Sequence, residues 1–125
     1  SGVGIKREFE TGAKRDSASN KPRPDLISPL FMLRVGEWLR QGAEKYGERN
    51  WEKGIPQSRC IESLQRHLQQ YLLGEQDEDH IAAMACNIMF LIHNDELIRK
   101  GRLPVTLNDL PFYCMEQGNA KNSSN

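Results

Sequence analysis

Apolar residues in the middle of the chain recur at the three- and four-residue spacing of helices, and the pattern predicts three of them. Ser28-Pro29 reads as an N-cap followed by proline in the first helical position. Phe31, Val35, Trp38, Leu39 and Gly42 continue the periodicity to about Tyr46, where Gly47 can end the helix in the left-handed conformation. A second helix from Ser58 carries Ile61, Leu64, Leu68, Tyr71 and Leu72 on one stripe, with His67 and Glu75 at its border. The third, Ile81 to Ile92, is apolar nearly all round, yet His80, Asn87 and Asn94 fall seven residues apart on one face. Polar groups on a buried helix need partners, so this face is expected to meet other polar side chains.

Outside these helices the chain is polar. Residues 4–24 scatter Lys6, Arg7, Lys14, Arg15, Lys21 and Arg23 among Gly, Ser and Pro, which predicts an extended arm: either a solvated tail or a phosphate-binding segment. Asp95 to Gly101 closes the third helix. Thr106 to Asp109 starts a short helix that Pro111 limits, and Leu110, Phe112, Tyr113 and Met115 either seal the bundle or dock a neighbouring subunit. The expected fold is all-α: a helical bundle forming a single domain over 1–125, with an arm at 1–24 and a flexible tail at 118–125.

Composition narrows the partners. Lys plus Arg and Asp plus Glu are both 17, so no overall basic field favours nucleic acid, and an anionic ligand must be held by local charges. Cys60, Cys86 and Cys114 are odd in number and widely spaced, which reads as reduced, structural thiols. No run reads as the ~20 apolar residues of a membrane span, and the N-terminus shows no signal-peptide pattern. A soluble, cytoplasmic protein is expected. Cys-x-x-Cys and His-Glu-x-x-His pairs are absent, as are Walker and Rossmann glycine loops, and no Ser/His/Asp nucleophile set can be nominated.

The candidate chemistry lies in the carboxylate-dense turn Gly74-Glu75-Gln76-Asp77-Glu78-Asp79-His80. If the helical hairpin folds about Asp77, His67 lies level with Asn87, and Glu75 with Asp79 and His80. A turn near Glu52 would likewise set Glu37 opposite His67. Carboxylates suit Mg2+ or Mn2+, and imidazoles favour Mn2+ or a softer ion. Two such ions could bind a polyphosphate and lower the pKa of a water. The competing account is a helix start whose acids only complement the helix dipole. Farther back, Gly42 to Gly54 combines three glycines with Tyr46 and Trp51 as flat apolar faces and Lys45, Arg49, Asn50 and Lys53 as donors. A planar base with phosphates attached suits such a loop; so does a plug at the end of the bundle.

Taken together, Thr11-Gly12-Ala13-Lys14-Arg15-Asp16, Lys21-Pro22-Arg23-Pro24-Asp25-Leu26, the Gly42 to Gly54 segment, Arg66-His67-Leu68, Gly74-Glu75 and His80 to Asn87 resemble the phage and bacterial dATP/dGTP diphosphohydrolase family. This is a MazG-like branch, called MazZ in phages that carry 2-aminoadenine in place of adenine. The resemblance implies an all-α MazG-like fold that assembles as a homodimer or homotetramer. It also implies Mg2+- or Mn2+-dependent hydrolysis of a purine deoxynucleoside triphosphate to the monophosphate and pyrophosphate, with two or more ions. MazG-like enzymes carry Glu-x-x-Glu and Glu-x-x-Asp pairs on adjacent helices. In their place the resemblance nominates Glu37, Glu62, Glu75 and Asp79 as metal ligands with His80, and Glu75, Asp79, Glu62 and His67 as catalytic residues. Lys14, Arg15, Arg23 and Lys45 would meet phosphate, Tyr46 and Trp51 the base, and Asn50 and Asn87 would help position the substrate.

Overall fold

The computed structural model describes residues 6–16 and 20–114. Two compact units, Ser1–Met32 and Leu33–Asn125, divide the chain inside its first long helix. Met115 and the expected tail from Gly118 lie outside the described residues.

The first unit holds the segment expected to be an extended arm, and Lys6–Asp16 instead folds back on itself. Strand β1 (Lys6–Glu8) pairs antiparallel with β2 (Lys14–Asp16), setting Lys6 opposite Asp16, Glu8 opposite Lys14 and Arg7 opposite Arg15. Two of these three pairs are of opposite charge, which favours the register. The turn closes through the Gly12 amide donating to the Phe9 carbonyl at 2.8 Å, and Gly12 takes φ 89, a conformation that suits a residue without Cβ. A 3-10 turn at Pro24–Leu26 follows, beside which the Arg23 guanidinium donates to both Asp25 carboxylate oxygens at 2.9 and 2.8 Å.

Helix α1 (Pro29–Tyr46) begins and ends where the sequence predicts: the Ser28 hydroxyl accepts from the Phe31 amide at 3.4 Å, and Gly47 at φ 94 follows the last turn. In the second unit a 3-10 turn (Asn50–Lys53) leads into α2 (Gln57–Leu72), which is antiparallel to α3 (His80–Arg99). Gly74 at φ 82 ends α2, with the Glu75 amide donating back to the Gln70 carbonyl at 3.0 Å. Asp79 caps α3 by accepting from the Ala82 amide. The short helix expected at Thr106 to Asp109 is a 3-10 turn one residue earlier, Val105–Leu107. Asp109 serves instead at the start of α2, where its carboxylate accepts from the Ser58 amide at 2.8 Å and the Ser58 hydroxyl at 2.6 Å.

The core around α3 is built from small apolar residues, with Cys86 Sγ 3.9 Å from the Val35 carbonyl of α1, and a polar seam against α2. Cys60, Ala82, Ala83 and Cys86 are buried, and burial pushes both thiols up to about 11, so they behave as small hydrophobes. All three cysteines are free. His80, Asn87 and Asn94 face α2 as their seven-residue spacing predicts, but their partners differ from those expected. His67 meets His80, Ser63 meets Asn87, and Gln57 meets Asn94. These pairs centre the hairpin nearer Glu75 than Asp77, because the connection Leu73–Asp79 is longer on its α3 side. By length and composition alone α3 is also long and apolar enough to cross a membrane, with hydropathy 1.3, a property that the core helix of a bundle shares.

Candidate active site

Three contiguous cavities run along the second unit. The first, about 650 Å³, is walled by Trp38, Tyr46, Trp51 and Phe90, with Asn50 and Arg59 among its polar groups. It shares Trp38, Tyr46, Phe90, Ser63 and Asn87 with a second cavity of about 400 Å³ that adds Lys45, Arg66 and His67. That cavity shares Gln41 and Glu78 with a third, about 480 Å³, lined by Arg34 and the run Glu75 to His80. Aromatic side chains interspersed with arginines and Lys45 therefore line the first two cavities, and the acidic run lines the third.

At the aromatic end Trp51 stacks on Phe90 with ring centroids 5.4 Å apart and meets the edge of His93 at 4.9 Å. Both sequence readings of Trp51 meet here, since it packs against α3 and also lines the cavity. Gly47 and Gly54 at positive φ, with Arg49 at φ 60, carry the chain around this wall. Asn87 donates from Nδ2 to the Ser63 hydroxyl and to the Ala83 carbonyl, both at 3.1 Å, which leaves its carbonyl oxygen as the acceptor it offers the groove.

At the acidic end two imidazoles converge. The Nδ1 atoms of His67 and His80 are 2.8 Å apart, and His80 Nε2 is 3.0 Å from an Asp77 carboxylate oxygen. His80 is 2% exposed and His67 8%. Burial lowers the pKa of His67, and the His80 hydrogen bond lowers that of Asp77. Ligand atoms of His67, Glu78 and His80 lie within 4.8 Å of one another, as do those of Glu75, Asp77 and His80. Trp38, rather than its neighbour Glu37, faces His67, edge-on at 5.7 Å.

The other nominated acids carry arginine partners. Asp79 accepts from Arg34 across 45 residues of sequence, at 2.9 Å to Nε, and Arg34 lowers its pKa. Glu37 is bound by Arg40 and Gln41, which pull its carboxyl down to about 2. Glu62 pairs with Arg66 one turn along α2. Glu75, Asp77 and Glu78 have no arginine or lysine partner among the described residues. Lys14, Arg15 and Arg23 belong to the first unit. Sequence reasoning missed Trp38, Arg59, Ser63 and Phe90 as groove residues, and it ranked Asp79 above Asp77 and Glu78. The Trp38 signal was present in the apolar stripe of α1, but the same stripe describes a core residue equally well.

The second unit is thus a helical hairpin with carboxylates and imidazoles at its turn, beside a cavity walled by aromatic side chains. Residues 11–101 match the family model described as dATP/dGTP diphosphohydrolase, N-terminal, and the chain belongs to that family. The family name denotes a hydrolase acting on a nucleotide. No curated protein and no solved structure matches the chain.

Proposed function

We propose that the protein is a metal-dependent pyrophosphohydrolase that converts dGTP, and with it dATP or GTP, to the monophosphate and pyrophosphate. The observation that carries this reading is the continuity of the groove from the aromatic wall to the turn carboxylates. The base rests against Trp51 and Tyr46, with Asn50 and the Asn87 carbonyl oxygen at its edge. Lys45 and Arg66 meet the phosphates between the aromatic wall and the turn carboxylates.

The donor set fits a divalent cation. Glu75, Asp77 and Glu78 offer carboxylate oxygens of the kind that hold Mg2+ or Mn2+. When bound, such ions supply Lewis-acid charge to a phosphoryl oxygen and make water a better nucleophile at neutral pH. Asp79, in the same cavity, becomes available to them when Arg34 turns from carboxylate to phosphate, whereas Glu62 and Glu37 line none of the three cavities. Homodimer or homotetramer assembly is supported by the outward apolar residues Ile81, Ile88 and Ile92 on α3 and Leu72 on α2, each at least 42% exposed. In a phage with 2-aminoadenine DNA, and so in its host's cytoplasm, the dGMP formed would feed synthesis of the diaminopurine nucleotide.

Incubating the protein with each deoxynucleoside triphosphate and Mn2+, then separating products by chromatography, tests the reading. Pyrophosphate and a purine monophosphate are expected. Orthophosphate would indicate stepwise phosphatase chemistry. Nucleotide binding without turnover would make the chain a non-catalytic binding module.

A further inference from the structure

We propose that His67, His80 and Glu78 form a site for a transition cation of the Mn2+ to Zn2+ series, bound through the two Nδ1 atoms in preference to Mg2+. The juxtaposition carries the argument. Two nitrogens bound to one ion at about 2.1 Å each sit about 3.0–3.4 Å apart. The His67 and His80 Nδ1 atoms already stand at 2.8 Å, so a shift of a few tenths of an ångström admits an ion between them. Glu78 brings a carboxylate oxygen to 3.9 Å from His67 Nδ1, on the same side as His80.

Asp77 supplies the second observation. Its carboxylate has no proton to give, so the 3.0 Å contact is His80 Nε2–H donating to Asp77. This fixes the tautomer: the lone pair of His80 is on Nδ1, aimed at His67. A carboxylate holding the far nitrogen of a histidine is the arrangement that orients metal-ligating imidazoles and raises their basicity. His67 Nδ1–H donates to that lone pair in the ion-free pair, so an ion enters as His67 moves its proton to Nε2 and turns its own Nδ1 lone pair to the gap. Mg2+ keeps its waters and prefers oxygen, whereas imidazole nitrogen favours the later divalent ions. The site does not depend on the hydrolase reading, because its test reads binding alone.

The test uses the full chain with Zn2+ and, separately, millimolar Mg2+, followed by long-range 1H–15N correlation of the histidine rings. Zn2+ is expected to move the Nδ1 resonances of both His67 and His80 together, with His93 unmoved and Mg2+ without effect. Asp77→Asn, on the exposed turn, is expected to weaken Zn2+ about 10–100-fold in calorimetry while far-ultraviolet circular dichroism stays unchanged. Glu44→Gln, distant on α1, should leave affinity as it is. Nδ1 resonances that ignore Zn2+, an equal response to Mg2+, or unaltered Zn2+ affinity in Asp77→Asn would each show the pair to be a structural hydrogen bond only.

Discussion

The two ends of the α2–α3 hairpin bury polar side chains in equal measure and use them differently. At the end far from the turn, Asn94 is fully buried and donates to the Ile55 carbonyl at 2.7 Å and to Gln57 Oε1 at 2.9 Å. These groups are amides: neutral at every ordinary pH, poor ligands and no use as acids or bases. At the turn end the same seam places imidazoles against carboxylates, beside open cavities. One end joins the helices through neutral amides, and the other presents titratable groups to open cavities. Substitutions at the turn should therefore cost activity with little stability, and those at the far end the reverse.

The largest effect is expected at the turn. Glu75 is exposed, has no arginine or lysine partner among the described residues and belongs to the group with Asp77 and His80. Glu75→Gln should lower kcat/KM for pyrophosphate release by about 100-fold or more if its charge holds a cation. The urea midpoint and helical circular dichroism should not move. An active Glu75→Gln enzyme removes that residue from the mechanism.

Asn94→Leu is the complementary change. It leaves the Ile55 carbonyl and Gln57 without their buried donor, and a loss of about 2–3 kcal/mol is expected in urea unfolding. Turnover per folded molecule should stay within a factor of two or so, given that Asn94 lines none of the three groove cavities. A stable but inactive Asn94→Leu protein would contradict the division between the two ends.

How far this division could be read in advance depends on what kind of information each feature needs. The helices, the Ser28-Pro29 start and the seven-residue spacing of His80, Asn87 and Asn94 were legible because each is set by local periodicity. The partners across the hairpin were not. They depend on how Gly74 and the turn route the chain, and a small shift in the axis replaced His67–Asn87 by His67–His80. Two of the arginine pairings, Arg40 with Glu37 and Arg66 with Glu62, lie one helical turn apart and were readable in principle. Arg34 with Asp79 spans two helices and was not. The N-terminal hairpin escaped notice because its strands are short and carry charge in place of an apolar alternation.

A smaller effect at the far end tests backbone rather than side-chain chemistry. Gly54 sits at φ 103, and a Cβ built there falls 2.6 Å from a Leu107 methyl carbon. The methyl can rotate aside, but the backbone conformation remains unfavourable for an L side chain. Gly54→Ala should cost about 1–2 kcal/mol, seen as a lower urea midpoint with an unchanged slope. Unaltered stability would mean that the 3-10 turn relaxes to accommodate a side chain.

The smallest effect separates charge from hydrogen bonding at the same end. Helix α2 starts after Pro56, which has no side chain able to cap it, and Asp109 fills that role from the far side of the chain by accepting from the Ser58 amide and hydroxyl. Those bonds lower the pKa of Asp109. A carboxyl whose folded pKa lies below its unfolded value of about 3.9 contributes stability in full above that pH. The contribution is lost as pH falls through the folded value, because the unfolded chain takes up the proton first. Asp109→Asn keeps an acceptor oxygen and removes the titration. Its stability should therefore fall less steeply than the wild type's as pH drops below about 4. At neutral pH the loss should be small and pyrophosphate release unchanged. An identical acid slope in both proteins would assign it elsewhere, and Asp77 and Asp79 at the turn, whose pKa values are also lowered, would be the next carboxylates to replace.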